Sequence, residues 1–133
     1  MKPVDFAYAA PRTLQEAVRM LAEGGEDARA LAGGQSLIPL LNFRLVRPRL
    51  VVDLGRIDGL AGVRAAGDGI AIGAMTRQAD AEASPLVRER APLLAEALGH
   101  VGHPAIRFRG TVGGSLAHAD PLAELPAVAV ALD

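Results

Sequence analysis

Two glycine-rich phrases contain the polar groups that could bind an anion. The first, LAGGQSLIPL, occupies residues 31–40, and the second, RGTVGGSLAHADP, occupies residues 109–121. Because glycine accepts positive φ and lets a ligand approach closely, consecutive amides in such a turn can converge on one phosphate. Polar side chains that can add hydrogen bonds follow or flank the glycines: Gln35, Ser36, Thr111 and Ser115. Two such turns acting together would suit a diphosphate.

Each phrase taken alone has a simpler explanation. Glycine pairs are common in tight turns and at helix ends, where they bind nothing. Neither phrase matches G-x-G-x-x-G or the P-loop pattern, so the familiar nucleotide fingerprints give no support. The occurrence of both, each between apolar segments, favours phosphate binding over two unrelated turns.

Other constellations predict less chemistry. His100 and His103 are spaced so that one helix face could hold both, with His118 and Asp120 further along. Pro104 follows this pair directly and no carboxylate lies at ligand spacing, so we predict no metal site. Ser residues in the two phrases lack the G-x-S-x-G setting of a nucleophile, so we predict no catalytic residue.

Arginines near the phrases are candidate anion ligands. Arg107 and Arg109 lie next to the second phrase and are the better candidates. A second group is more typical of a solvated face, namely Arg44, Arg47 and Arg49.

Composition excludes several classes of protein. The chain has 133 residues, 50% hydrophobic, with a formal charge of −1, which argues against a disordered tail and against nucleic acid or an anionic membrane as partner. It has no cysteine, so it cannot hold an iron–sulfur cluster or a disulfide. No apolar stretch reaches membrane-spanning length and the start lacks a signal-peptide core, which predicts a cytoplasmic protein.

The first 55 residues predict a small α/β layer. Thr13 and Glu16 form a capping-box pattern that predicts a helix over TLQEAVRMLAEGG. A short buried strand is predicted at ARALAG, and Ser36 is predicted to cap a second helix over LIPLLNFRL. PRLVVDLG predicts another strand.

The pattern changes after residue 55, which predicts two subdomains, 1–55 and 56–133. GLAGVRAAGDGIAIGAM predicts two strands joined at Gly67-Asp68-Gly69. Helices are predicted at TRQADAEAS, LVRERA and PLLAEALGHV, with Pro85 and Pro92 marking two starts. GHPAIRFRGTVGGSLAHADP is a polar, glycine-rich passage that would be hard to pack as plain core, and LAELPAVAVALD is predicted as a closing helix.

Residues 32–54 and 110–133 together resemble the FAD-binding medium subunit of the molybdenum hydroxylases, in particular the aerobic carbon monoxide dehydrogenase type. The resemblance runs over nearly the whole chain. It implies an α+β fold of the PCMH/VAO (vanillyl-alcohol-oxidase) type, with a small α/β N-terminal subdomain, part of a second α+β subdomain and FAD between them. It also implies that this chain is a piece of a longer protein, incomplete at the C-terminal end of its second subdomain.

The resemblance further implies the cofactor contacts. It assigns one pyrophosphate loop to residues 31–38, a second to residues 111–115, and further contacts near the ribityl or flavin portion. The implied FAD-binding residues are Leu31, Ala32, Gly33, Gly34, Gln35, Ser36, Leu37, Ile38, Val101, Thr111, Val112, Gly113, Gly114, Ser115, Asp120 and Glu124.

The implied partners are a molybdenum–pterin large subunit and a small subunit with two [2Fe–2S] clusters, from which electrons pass through FAD to an acceptor. One departure is Phe108, where the family usually has Asn after Ile-Arg. We expect weak or absent FAD binding and no activity from the isolated chain. Two alternatives stay open: a cofactor-free module that pairs with a cluster-bearing subunit, and a stand-alone phosphate-binding α/β protein.

Overall fold

The computed structural model describes residues 1–132, and the chain divides into two compact units. The first is Met1–Asp58, and the second begins at Gly59. This division lies three residues after the boundary predicted at residue 55. Within the described part of the chain, no helix is long and apolar enough to cross a membrane.

The first unit is a three-stranded parallel sheet with two helices. The strands are β1 (Ala7–Ala9), β2 (Ala28–Leu31) and β3 (Leu50–Asp53), arranged in the order β1-β3-β2. The helices are α1 (Leu14–Gly24) and α2 (Leu37–Asn42), and short 3-10 turns occupy Gly25–Asp27 and Leu54–Arg56. The central strand, the inner helix faces and the first residue of β2 supply the buried apolar residues, which include Ala17, Ala28, Leu41, Val51 and Val52. The predicted α/β layer is confirmed.

The local predictions for this unit are confirmed in part. Thr13 Oγ1 accepts from the amide of Glu16 at 3.2 Å, as the capping pattern predicted, whereas the Glu16 carboxylate accepts from the Arg12 amide at 3.3 Å. Strand β2 is present, but only Ala28 in it is buried, because β2 lies at the edge of the sheet. Strand β1 was not predicted. Its pairing with β3 supplies the hydrogen bonds that a three-residue segment cannot supply itself.

The second unit begins with an antiparallel hairpin and continues with helices. Strands β4 (Val63–Ala66) and β5 (Gly69–Ile72) pair around the predicted Gly67-Asp68-Gly69 turn, and Gly67 has φ +56°. The helices that follow are α3 (Gln78–Ala83), α4 (Pro85–Arg90), α5 (Pro92–His100), α6 (Pro104–Arg107), α7 (Val112–His118) and α8 (Glu124–Leu132). A buried cluster of Ala81, Leu98, Val112 and Leu125 joins α3, α5, α7 and α8.

Prolines begin three of these helices. Pro85 and Pro92 stand in the first turns of α4 and α5 as predicted, and Pro104 does the same for α6. Helices α6 and α7 lie within the polar, glycine-rich passage of residues 102–121, for which the sequence predicted no element. Helix α7 forms despite two glycines because Thr111 caps it and Val112 is buried in the core cluster.

Candidate functional site

The first glycine motif, residues 31–38, follows the carboxyl end of strand β2. Leu31 ends the strand and pairs with Asp53 of β3, so the motif leaves the sheet at the edge where parallel α/β sheets bind their ligands. Gly34 has φ +75°, a conformation that residues with a Cβ rarely adopt. The glycine at this position is therefore required by the turn itself.

Four consecutive amides of this motif are left without a protein acceptor. Among the described residues, the backbone N–H groups of Gly33, Gly34, Gln35 and Ser36 donate no hydrogen bond. The next amide that is paired at this point is that of Ile38, which donates to the Gly34 carbonyl at 3.1 Å. Unpaired backbone donors are stable only where water or a ligand accepts from them. This turn can therefore accept an anionic group on its backbone.

Side chains of the first motif contribute less than the sequence predicted. Ser36 stands before α2 with φ −101° and ψ −47°, and its hydroxyl does not accept from the helix amides. The prediction that Ser36 caps α2 was wrong, because its backbone is already helical, unlike the extended backbone of a capping residue. The Gln35 carboxamide donates to the Gly33 carbonyl at 3.3 Å, which fixes it against the turn.

The second glycine motif, residues 111–115, is arranged differently. The amide of Val112 donates to the Thr76 carbonyl at 3.0 Å and that of Gly113 to the Ala74 carbonyl at 2.8 Å. The next two amides are also bonded within the protein: Gly114 donates to Thr111 Oγ1 at 3.1 Å, and Ser115 donates to the Thr111 carbonyl at 3.1 Å. The amides of the second motif are therefore not available to an anion, whereas anion binding by the amides of the first motif stays a prediction.

The glycine at position 113 is required by close packing. A Cβ there would lie 2.6–2.7 Å from the Cβ, Cα and carbonyl oxygen of Ala74. The start of α7 thus packs directly on the turn that leads from β5 to α3. Gly110, just before the motif, is held in the same way, since a Cβ would lie 2.6 Å from Gln78 Oε1 and 3.0 Å from the Ile106 carbonyl oxygen.

The remaining residues assigned to FAD lie in the second unit outside the motif. Val101 ends α5 and is half-buried. The Asp120 carboxylate is exposed and accepts from the Leu122 amide at 2.9 Å, so it orders the turn before α8. Glu124 is half-buried in the first turn of α8.

Arg107 is not an available anion ligand, which corrects the sequence-based expectation. Its guanidinium donates to the Glu82 carboxylate at 2.7 Å and to the Val101 carbonyl at 3.0 Å, and its side chain is only 13% exposed. Its positive charge is therefore balanced by Glu82. Arg109 lies on the surface next to the second motif.

The other arginines and the histidines do not form a site. Arg49 pairs with Asp27 at 3.3 Å, and Arg44 and Arg47 donate to backbone carbonyls, consistent with an exposed face. His100 ends α5, whereas His103 stands before α6, so they do not share one helix face. Within residues 1–132, no three His, Asp or Glu side chains are grouped as a metal site.

One feature of the first unit was missed from the sequence. The Tyr8 hydroxyl of β1 donates to Asp53 Oδ2 at 2.5 Å, and Asp53 Oδ1 accepts from the Gly55 amide at 2.8 Å. The hydrogen bond to Asp53 raises the pKa of Tyr8. The signal was hidden because these residues lie far apart in sequence, and β1 is recognisable only from its pairing.

The parallel sheet with a glycine turn at its edge and the helical second unit define a protein of the α+β class. The family model described as "FAD binding domain in molybdopterin dehydrogenase" matches residues 4–133. The chain therefore belongs to this family of FAD-binding domains, whose cofactor is FAD. The resemblance inferred from the two motifs is confirmed.

Two relatives align with this chain over its whole length. It is 53% identical over 133 residues to the 6-hydroxypseudooxynicotine dehydrogenase complex subunit alpha of Paenarthrobacter nicotinovorans, and covers 45% of that protein. It is 44% identical over 133 residues to the carbon monoxide dehydrogenase medium chain of Hydrogenophaga pseudoflava, and covers 46% of that protein. The chain thus spans less than half the length of these relatives.

Solved structures show the same fold. The carbon monoxide dehydrogenase of Hydrogenophaga pseudoflava superposes with a TM-score of 0.97, covering 100% of this chain and 46% of that one. Quinoline 2-oxidoreductase of Pseudomonas putida 86 superposes with a TM-score of 0.90 at 47% identity, covering 95% of this chain and 44% of that one. The α+β FAD-binding fold is confirmed.

Proposed function

We propose that this chain is part of the FAD-binding component of a molybdenum-hydroxylase-type oxidoreductase. In this proposal electrons come from [2Fe–2S] clusters of a small partner subunit, which receives them from a molybdenum–pterin large subunit, and leave through FAD to an acceptor. These 133 residues contain no cysteine, so the clusters of this proposal are held outside them. The names of the relatives, which include a complex subunit and a medium chain, support an assembly of several subunits.

The observation that carries the proposal is the unpaired amide run at residues 33–36. A diphosphate offers acceptor oxygens with negative charge, and backbone N–H groups that point to one side of a turn are suited to it. Gly34 supports this because its positive φ turns the chain, and because a Cβ there would crowd Ile38 Cγ1 at 3.0 Å and so disturb the turn. The residues of this turn fit the group they are proposed to hold.

The two motifs are proposed to act on FAD in different ways. Residues 31–38 bind a phosphate through backbone amides. In the second unit the amides of residues 112–115 are already bonded within the protein, so we assign contacts there to the half-buried backbone of Gly113 and Gly114 and to the Ser115 hydroxyl. Three further contacts remain proposals, Val101, Asp120 and Glu124.

Bound FAD supplies one- and two-electron transfer chemistry, and the protein supplies binding, orientation and electrostatics. We propose that the unit Met1–Asp58 corresponds to the subdomain 1–55, and that the unit beginning at Gly59 corresponds to the subdomain 56–133. We also propose that this chain by itself is inactive, because it spans less than half of its relatives.

The test replaces Gly34 by alanine and measures FAD binding. The parent, the variant and a control are prepared as the 133-residue chain and as a chimera in which these residues replace their counterparts in the Hydrogenophaga pseudoflava medium chain. Flavin absorbance and calorimetry then report FAD bound per chain. We expect the parent chimera to bind FAD and Gly34→Ala to bind it at least about tenfold more weakly, since a strained φ and a Cβ disturb the phosphate turn.

The control is Gly25→Ala. Gly25 also has positive φ, +51°, but a Cβ there meets nothing within 4 Å, and it lies at the end of α1. Both variants place a Cβ on a residue with positive φ, but at position 34 the Cβ also lies 3.0 Å from Ile38 Cγ1 and 3.3 Å from Leu31 Cδ1. The thermal unfolding temperature of each variant is therefore recorded beside its FAD binding, so that a loss of stability is told apart from a loss of the phosphate turn. A parent chimera that binds no FAD would contradict the proposal. That outcome would favour a cofactor-free interaction module, whereas equal FAD binding by parent and Gly34→Ala would show that the turn at Gly34 does not hold the phosphate.

A further inference from the structure

Helix α3 holds the segment before the second glycine motif at three points. Its N-cap residue Arg77 donates through its guanidinium to the carbonyl of Arg109. The amide of Gln78, the first residue of α3, donates to the Gly110 carbonyl at 2.9 Å. At the other end of the helix, Glu82 accepts from Arg107. One short helix therefore fixes residues 107–110 along its whole length.

The contact between Glu82 and Arg107 is the strongest of the three. Arg107 Nε lies 2.7 Å from Glu82 Oε2, and Arg107 Nη2 lies 3.5 Å from Glu82 Oε1. The side chains are 13% and 31% exposed, so the ion pair is partly withdrawn from solvent and weakly screened. A guanidinium that meets both oxygens of a carboxylate also fixes the orientation of the two groups.

The Arg107 guanidinium also bonds to the turn between α5 and α6. Its Nη1 donates to the Val101 carbonyl at 3.0 Å and to the Gly102 carbonyl at 3.4 Å. Gly102 has φ +46°, so the chain turns sharply here between α5 and α6. A single guanidinium thus links α3, this turn and α6, the helix on which it lies.

We propose that Glu82 and Arg107 are positioning residues for the second glycine motif and for the Val101–Gly102 turn. They contact no cofactor themselves; they set the place from which residues 111–115 and Val101 meet FAD. This inference rests on the proposed function and adds to it two residues outside the sixteen assigned to FAD. Its physical basis is that residue 107 lies only one turn before Thr111, so a shift at the ion pair is carried into the motif.

Two variants test the proposal against a matched control. Arg107→Gln removes the ion pair and the bonds to the two carbonyls, and the Glu82 carboxylate that remains is exposed enough to be hydrated. Arg107→Lys keeps a positive charge opposite Glu82 but lacks the planar group that also reaches Val101. The control is Arg90→Gln. Arg90 also donates to two carbonyls, those of Gly67 and Gly69 at 3.1 and 3.2 Å, but in the hairpin of the same unit.

The first measurement is the Kd for FAD in the chimera described above. We expect Arg107→Gln to raise it roughly tenfold or more and Arg107→Lys to give an intermediate value, since small misplacements of binding groups have effects of this size. Arg90→Gln should stay within about twofold of the parent. The thermal unfolding temperature is recorded for each, and Kd is measured where every variant is folded, because Arg107→Gln loses a partly buried ion pair whereas Arg90→Gln loses only exposed hydrogen bonds.

The second measurement needs no cofactor. Amide hydrogen exchange of the FAD-free 133-residue chain should be faster at residues 112–115 in Arg107→Gln than in Arg90→Gln, since those amides are bonded within the protein in the parent. Equal Kd values in Arg107→Gln and Arg90→Gln would overturn the proposal. So would unchanged exchange at residues 112–115. A parent chimera that binds no FAD would instead refute the proposed function, and the exchange result would still decide whether Arg107 holds the motif.

Discussion

Gly113→Ala tests whether the second glycine motif is a close-packed helix start. A Cβ at this position would lie 2.6 Å from the Ala74 Cβ and 2.7 Å from its Cα and carbonyl oxygen. Two of these atoms belong to the backbone, which cannot rotate away as the end of a side chain can. The variant must therefore move the start of α7 away from the turn after β5.

The magnitude follows from three contributions. Forcing a methyl group into a packed site costs about 1–3 kcal/mol. Moving α7 weakens the bond from the Gly113 amide to the Ala74 carbonyl, which contributes about 1 kcal/mol. Replacing a helical glycine by alanine returns about 0.5–1 kcal/mol. We expect the free energy of unfolding to fall by about 1–3 kcal/mol.

The assay is urea unfolding of the 133-residue chain, followed by circular dichroism. The control is Gly99→Ala, which lies in α5 where the nearest heavy atom to an added Cβ is Glu82 Oε1 at 3.9 Å. That variant has room, so we expect it to raise the free energy of unfolding by about 0.5–1 kcal/mol. If Gly113→Ala were as stable as the parent, or more stable, the inferred packing of α7 against Ala74 would be refuted.

Two further predictions concern single hydrogen bonds. Thr111→Val removes the acceptor of the Gly114 amide and should lower the free energy of unfolding by about 1 kcal/mol. Thr111→Ser keeps a hydroxyl acceptor, so its free energy of unfolding should stay close to that of the parent. Urea unfolding distinguishes the two variants, and equal losses of stability would contradict the capping role. Tyr8 is the single tyrosine, so tyrosinate absorbance follows it alone, and Asp53→Asn should lower its titration midpoint towards the ordinary value. Because the folded pKa is raised, the stabilisation by this bond is present below the ordinary tyrosine pKa and is lost as pH rises through the raised one. An unchanged midpoint would show that Asp53 does not hold the Tyr8 hydroxyl.

Local physical rules made many of the elements predictable. The cap at Thr13, the prolines at 85 and 92 and the Asp-Gly turn each act within a few residues, and each marks the element it predicted. The family and its cofactor were also accessible, because two separated motifs in order are far more specific than either glycine pair. The sequence by itself thus determined the α+β class and the FAD-binding family.

Tertiary structure alone decided what each motif offers. The two phrases share Gly-Gly followed by a polar residue, yet one leaves four amides unpaired and the other bonds its amides to Thr76, Ala74 and Thr111. Likewise the sequence predicted Arg107 as an anion ligand, whereas in the structure its guanidinium pairs with the carboxylate of Glu82, 25 residues earlier. The acceptors for the Val112 and Gly113 amides lie in the turn before α3, and the acceptor for the Arg107 guanidinium lies on α3. These segments are distant in sequence, so no local pattern shows which of them supplies the acceptor.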